Sequence, residues 1–390
     1  VAGVLGAIAV AVLGGLWASA HRAMGAAAEG ARLERMQASP QWRANERRFG
    51  NVRERIDGSG WEMAQRWFFG GSDHASPETP LPVVQRRGSE FEATPASGLR
   101  VTWFGHSILL VELDGRRILI DPVFGERASP LTFLGPKRWY APPLPLEELP
   151  PLDAVVISHD HYDHLDLFTV EALAPKRLRW IVPLGVGAHL ESWGIEPERI
   201  TELDWWQETK VEELTVTATP ARHFSGRSLG DQYKTLWAGY ALRGPQHNVY
   251  YSGDTALFDE LVDIGSRLGP FDVTLIESGA YNQLWADVHL GPEQAVRAHR
   301  LVRGDVFVPV HWGLFDLALH GWTEPIERVF VAAQREGIRF ASPRPGESIE
   351  PASLPKPTRW WPEVPWQSAE ESPALSSGVE HLMADPLPQR

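Results

Sequence analysis

A chain of 390 residues, 43% of them hydrophobic, is long enough to bury one large core or two modest ones. It contains no cysteine, which excludes thiolate zinc sites, iron–sulfur clusters and disulfides. Its formal charge of −13, with Lys and Arg in no long cluster, argues against nucleic acid as a partner.

Residues 1–20 carry no charge and are mostly Ala, Val, Leu, Ile and Gly. About 20 such residues cross a bilayer as one helix, and Ala18-Ser19-Ala20 resembles a small-residue cleavage site. The expectation is a membrane anchor or a signal peptide. The chain is then membrane-associated through its N-terminus, or exported to the periplasm or outside if the stretch is cleaved. Residues 21–98 form a polar lead. Within it, 61–69 reads as a short amphipathic helix ended by Gly70-Gly71, and 72–97 as a Pro-, Ser- and Glu-rich linker.

Strands are expected at 101–104, 108–113 and 117–120, the last two joined by Asp114-Gly115, a strong hairpin signal. The irregular segment 124–151 is too long for a plain connection and is read as a wall of a substrate groove. A short apolar run, 152–157, reads as a buried strand. Further strands fall at 179–182, within 200–219, and at 236–242, 248–251, 271–276 and 305–310. Helices begin at Phe168, Phe258, Pro292 and Thr323, the last two with Pro at an early position that tolerates it. From Pro351 the tail is rich in Pro, Ser and Glu and reads as disordered, with Trp360, Trp361 and Trp366 available to pack back.

The chemistry stands at Ser158-His159-Asp160-His161-Tyr162-Asp163-His164-Leu165-Asp166, directly after the 152–157 strand. Three imidazoles and a carboxylate in six residues suit two adjacent transition-metal ions better than one, and these ligand types are zinc-compatible. A merely solvated turn is the plainer reading of such a cluster. Against it, His223, Asp254 and His311 each follow another apolar run, so one sheet edge gathers them all. The loop 225–234 adds Arg227 and Lys234, cations of the kind that hold a phosphate in a substrate-binding role.

His159-x-His161-x-Asp163-His164 with His223, Asp254 and His311 resembles the metallo-β-lactamase superfamily of binuclear hydrolases. The wording of 158–166, 221–228, 234–239, 251–255 and His311-Trp312-Gly313 is similar to its N-acylphosphatidylethanolamine-hydrolysing phospholipase D branch, over about 99–349. The resemblance implies a four-layer αββα sandwich of two mixed β-sheets flanked by helices. The hydrolase domain would run over 99–350, with 21–98 as an N-terminal wrap and linker and 351–390 as a tail. Two Zn²⁺, or another divalent transition metal, would sit on His159, His161 and His223 and on Asp163, His164 and His311, with Asp254 bridging. Asp160 falls outside that ligand set.

The same resemblance makes Asp163 and Asp254 catalytic. His289 and His320 are both candidates to assist the leaving group, His289 being preferred from the resemblance and His320 placed among the substrate-binding residues. Asp121 would lie beneath the metal loop to orient an imidazole, and His106 is a second candidate for such support. The implied reaction is hydrolysis of the phosphodiester of an amphiphilic N-acyl-phosphatidylethanolamine-like lipid by a metal-bridging hydroxide. Seventeen tryptophans fit an apolar substrate or membrane contact. The alternatives are a lactonase or soluble phosphoester hydrolase on the same metals, and a metal-holding sensor or scaffold without turnover.

Overall fold

The computed structural model describes residues 14–56 and 71–384. Most of the apolar stretch 1–20 and the amphipathic helix expected at 61–69 lie outside the described residues; 14–24 are helical. Helix α1 (Gly30–Gln37) and a small hairpin of β1 (Trp42–Arg43) and β2 (Arg48–Phe49) precede the first large sheet.

That sheet contains β3 (Leu99–Trp103), β4 (Leu109–Leu113), β5 (Arg116–Ile120), β6 (Ala154–Val156), β7 (Arg179–Pro183) and β8 (Ile200–Leu203). The second contains β9 (Glu208–Val211), β10 (Leu214–Thr219), β11 (Gly239–Arg243), β12 (Asn248–Tyr251), β13 (Phe271–Glu277), β14 (Gly304–Val310) and β15 (Arg339–Phe340). A last strand, β16 (Ser348–Ile349), returns to pair with β3 as the seventh strand of the first sheet, matching the seven of the second. Both are mixed: β5 to β8 run parallel, as do β12 to β15, and the remaining pairs are antiparallel.

Period-two burial explains the layering. Leu109, Val111, Ile118, Ile120 and Val156 face a core shared with Val216, Leu242, Val249 and Leu275 of the other sheet. Their neighbours Leu110, Leu119 and Val155 point the opposite way, toward α2 (Leu167–Leu173) and α3 (Gly187–Ser192). Buried on both faces, these strands read as continuous apolar runs. On the far side, α5 (Pro292–Leu301) lies on β13 and β14, flanked by α4 (Glu260–Arg267) and α6 (Glu324–Arg335). The sandwich of two mixed sheets flanked by helices is the architecture expected. The Asp114-Gly115 turn has both residues at positive φ, as a two-residue hairpin turn requires.

Two segments differ from their compositional reading. The expected linker 72–97 is strapped onto the domain: Val84 N–H donates to Pro345 O (2.8 Å), Arg86 N–H donates to Pro143 O (2.8 Å), and Phe91 is buried. The described part of the tail, 351–384, expected to be disordered, is docked. Trp360 stacks on Trp312 at 5.5 Å, Trp361 Nε1 donates to Glu327 Oε1 (2.6 Å), and α7 (Glu380–Ala384) buries Leu382. Proline removes donors from such segments, but their indoles and remaining amides find partners on a surface that composition does not register.

Candidate metal centre

Parallel neighbours end at the same edge, and that edge carries the ligand types. Asp121 follows β5 and His159 follows β6; Asp254 follows β12, Glu277 ends β13 and His311 follows β14. Gly253 makes the turn into Asp254 at φ 58, and a Cβ there would meet Ala238 O at 2.7 Å, so only glycine fits.

Among the described residues the side chains form two neighbouring groups: His159, His161, His223 and Asp254, then His106, Asp163, His164 and His311. A third, Asp254, Glu277, His289 and His311, overlaps both, and within each group the ligand atoms lie within 4.8 Å of one another. Asp254 Oδ2 stands between the first two. It is 3.0 Å from His311 Nε2, 3.2 Å from His164 Nε2, 3.7 Å from His223 Nε2 and 3.8 Å from His159 Nε2.

Outer contacts set the ring orientations. Asp121, fully buried, accepts His164 Nδ1–H (2.7 Å), Ser158 N–H (2.7 Å) and the Tyr251 hydroxyl (2.5 Å). His223 Nδ1–H donates to Val288 O (2.9 Å). With Nδ1 so engaged, both rings turn Nε2 toward the centre. His223 is held neutral there by burial, whereas at His164 burial is outweighed by the charges of Asp254 and Asp163, which raise it well above the ordinary histidine range. His106 Nε2 lies 2.9 Å from Asp163 Oδ2 and steadies that carboxylate.

The residues present fit a metal. His164 Nε2, His311 Nε2 and Asp254 Oδ1 are buried with no hydrogen-bond partner, although groups this polar are almost always satisfied. Nitrogen and oxygen donors without sulfur match zinc or another first-row divalent ion. Burial and neighbouring imidazoles hold His159 and His223 well below the ordinary histidine range, hence neutral, as a ligand must be. Burial pulls His311 down as well, but the charges of Asp254 and Asp163 outweigh it and lift that imidazole to about 10. The field that keeps a proton there is the field a dication would meet.

The other expected site residues are distributed differently. His289 Nδ1–H donates to Glu277 Oε2 (2.7 Å) at the edge of the centre. His320 stacks on Tyr281 (4.5 Å) and donates from Nδ1 to Gly321 O (2.9 Å). It lines a pocket with His106, His311, Phe315, Trp322 and Trp139, the last from the 124–151 segment. Arg227 departs from its expected role as a phosphate ligand. Its guanidinium is buried, donates to the carbonyls of Ala23, Asp160 and Leu165, and lies over the Tyr162 ring at 4.0 Å. Its donors are spent on bolting loops together. Lys234 also turns away, donating to Arg47 O (2.7 Å).

Glu277 escaped the sequence reading. It is fully buried and also accepts from Thr255 N–H and Leu290 N–H. The available signal was an acid closing an apolar strand beside the one that ends at His311; the register pairs Glu277 with Val310.

Two mixed sheets that bring histidines and aspartates to one edge define a metal-dependent hydrolase fold. Residues 116–312 match the beta-lactamase superfamily domain, and the chain belongs to that superfamily. It is 48% identical to an uncharacterized protein of Mycobacterium tuberculosis over 77% of this chain and 80% of that protein. It is 38% identical to an N-acyl-phosphatidylethanolamine-hydrolyzing phospholipase D of Caenorhabditis elegans, over 63% of this chain and 72% of that one. Among solved structures, a metallo hydrolase of the archaeon Ignicoccus hospitalis superposes with a TM-score of 0.51 at 25% identity, covering 64% of this chain and 97% of its own.

Proposed function

We propose that this chain is a binuclear zinc phosphodiesterase of the phospholipase D type, acting on N-acyl-phosphatidylethanolamine-like lipids. The observation that carries the reading is the position of Asp254 Oδ2 between two histidine-bearing groups. The nematode relative supplies the substrate class. His159, His161 and His223 would hold one ion and Asp163, His164 and His311 the other, with Asp254 shared. When bound, the ions acidify water near neutral pH and offset negative charge developing on the phosphoryl oxygens.

The remaining work falls to side chains of this chain. Asp163, held by His106, accepts a hydrogen bond from an attacking water and orients it. His289 keeps one proton on Nδ1, held by Glu277 Oε2 at 2.7 Å; as the imidazolium it would give its second proton, on Nε2, to the departing alkoxide and regain it from water. We assign the apolar part of the substrate to the pocket beside His106 and His311, walled by Trp139, Phe315 and Trp322, with His320 at its side. A lipid substrate makes membrane contact part of this proposal, through residues 1–20 and exposed apolar side chains.

No Lys or Arg lines that pocket among the described residues, which favours a neutral ester or lactone as the second reading. Turnover of N-acyl-phosphatidylethanolamine set against simple lactones and soluble diesters separates the two. The proposal expects the lipid diester to be the better substrate by kcat/KM. Metal analysis of protein purified without chelator should give about two ions per chain, zinc foremost. A value near zero in active protein would sink the mechanism.

A further inference from the structure

His223 differs from the other ligands of its group in how its backbone is held. His159 and His161 leave β6, whose neighbours β5 and β7 pair it on both sides. His223 lies four residues past the end of β10, beyond the last rung pairing Thr219 with Gly239. Its amide and carbonyl are buried there and need partners from elsewhere.

Asn51, 172 positions away, supplies both. Its Nδ2 donates to His223 O at 2.8 Å, and His223 N–H donates to its Oδ1 at 3.0 Å. A carboxamide carries the same donor and acceptor pair as a peptide group, so Asn51 exchanges with His223 the two bonds that paired strand residues exchange. Asn51 is 5% exposed, and its own backbone is fixed. Arg43 donates to its carbonyl (3.0 Å), Gly50 N–H donates to Gln41 O (2.9 Å), and Phe49 N–H donates to Tyr233 O (2.9 Å) beside a buried Phe49 ring.

We infer that Asn51 is a positioning residue for the metal centre, through which the N-terminal hairpin sets the depth of His223 Nε2. With Nδ1 tied to Val288 O, the ring direction and the backbone beneath it are fixed by separate contacts. Asn51 supplies the backbone half. The N-terminal segment is on this account part of the ion-binding apparatus, although it contributes no ligand.

The inference rests on the two-ion reading, and the experiment separates the two. Metal-free protein is titrated with Zn²⁺ or Co²⁺ against a competing chelator, and the Co²⁺ absorption bands report the ligand geometry. Wild-type protein should bind in two resolvable steps; its failure to do so strikes the two-ion reading itself. Asn51→Ala should weaken one step by about 10–100-fold, the usual cost of losing an outer partner of a ligand. The other step should stay within about threefold of wild type.

Asn51→Asp keeps the shape and the acceptor but sets a carboxylate oxygen against His223 O. It should give a loss in the same step with the far-UV circular dichroism unchanged, and it serves if the alanine variant does not fold. Ser39→Ala, a buried change in the same wrap whose hydroxyl meets Gln41 rather than His223, should leave both steps alone. Wild-type affinities and cobalt spectra in both Asn51 variants would overturn the inference. So would an equal loss at both steps, or the same loss in Ser39→Ala, since either would mark a general loosening of the fold.

Discussion

Asp254→Asn should lower kcat/KM by on the order of 10³-fold and bring bound metal from about two ions to one or fewer. Asparagine keeps the outline of the side chain and removes the charge that His164, His311, His223 and His159 surround at 3.0–3.8 Å. Burial alone raises a carboxyl group, yet the charges of His164 and His311 hold Asp254 well below the usual carboxylate range, so this group is ionised where it stands. Metal-borne charge stabilisation is worth several kcal/mol, and roughly 4 kcal/mol corresponds to about three decades of rate.

The control for this experiment must be chosen from the structure. Asp160, which the motif sets outside the ligands, is buried and accepts Gly226 N–H (2.7 Å) and the Thr235 hydroxyl (2.7 Å), so changing it would disturb the loop below His223. Asp263→Asn, on the exposed side of α4, should match wild type. Asp254→Asn protein that still carries two ions and full activity would remove Asp254 from the bridge.

His289→Ala should cost about 10²–10⁴-fold in kcat on a lipid diester, the range for a lost general acid, while leaving metal content unchanged. An alkoxide is a poor leaving group and needs the proton that His289 is placed to give. A p-nitrophenyl diester departs as a stable anion, so the same variant should lose no more than about tenfold there. Glu277→Gln keeps a polar partner for His289 Nδ1–H but removes the charge 2.7 Å from it, and should fall between wild type and His289→Ala on the lipid substrate. Equal losses on both substrates would show that His289 shapes the site without moving a proton.

Much of this centre was legible before any fold, because metal ligands must be imidazole or carboxylate and must come close together. His159, His161, Asp163 and His164 do so by adjacency. His223, Asp254 and His311 became candidates because each follows an apolar strand, and all seven fall among the clustered residues that could hold a metal. The apolar runs marked candidate strands, but runs buried on both faces carry no alternation to tell them from buried helix, so the two-sheet arrangement came from the family resemblance.

What the tertiary structure alone decided is which polar groups meet across long separations. Arg227 and Lys234 looked like phosphate ligands because they stand in a polar loop near a ligand, yet both spend their donors on backbone carbonyls. The tail looked disordered apart from tryptophans able to pack back, and the structure decides where they do: Trp360 stacks on Trp312 and Trp361 meets it edge-on. Glu277 and Asn51 carried no local signal strong enough to read: one acts through strand register, the other through a contact 172 residues distant. Ligand identity is a property of side-chain chemistry and survives in the one-dimensional pattern. Hydrogen-bond partnership is a property of position in space, and only the packed chain assigns it.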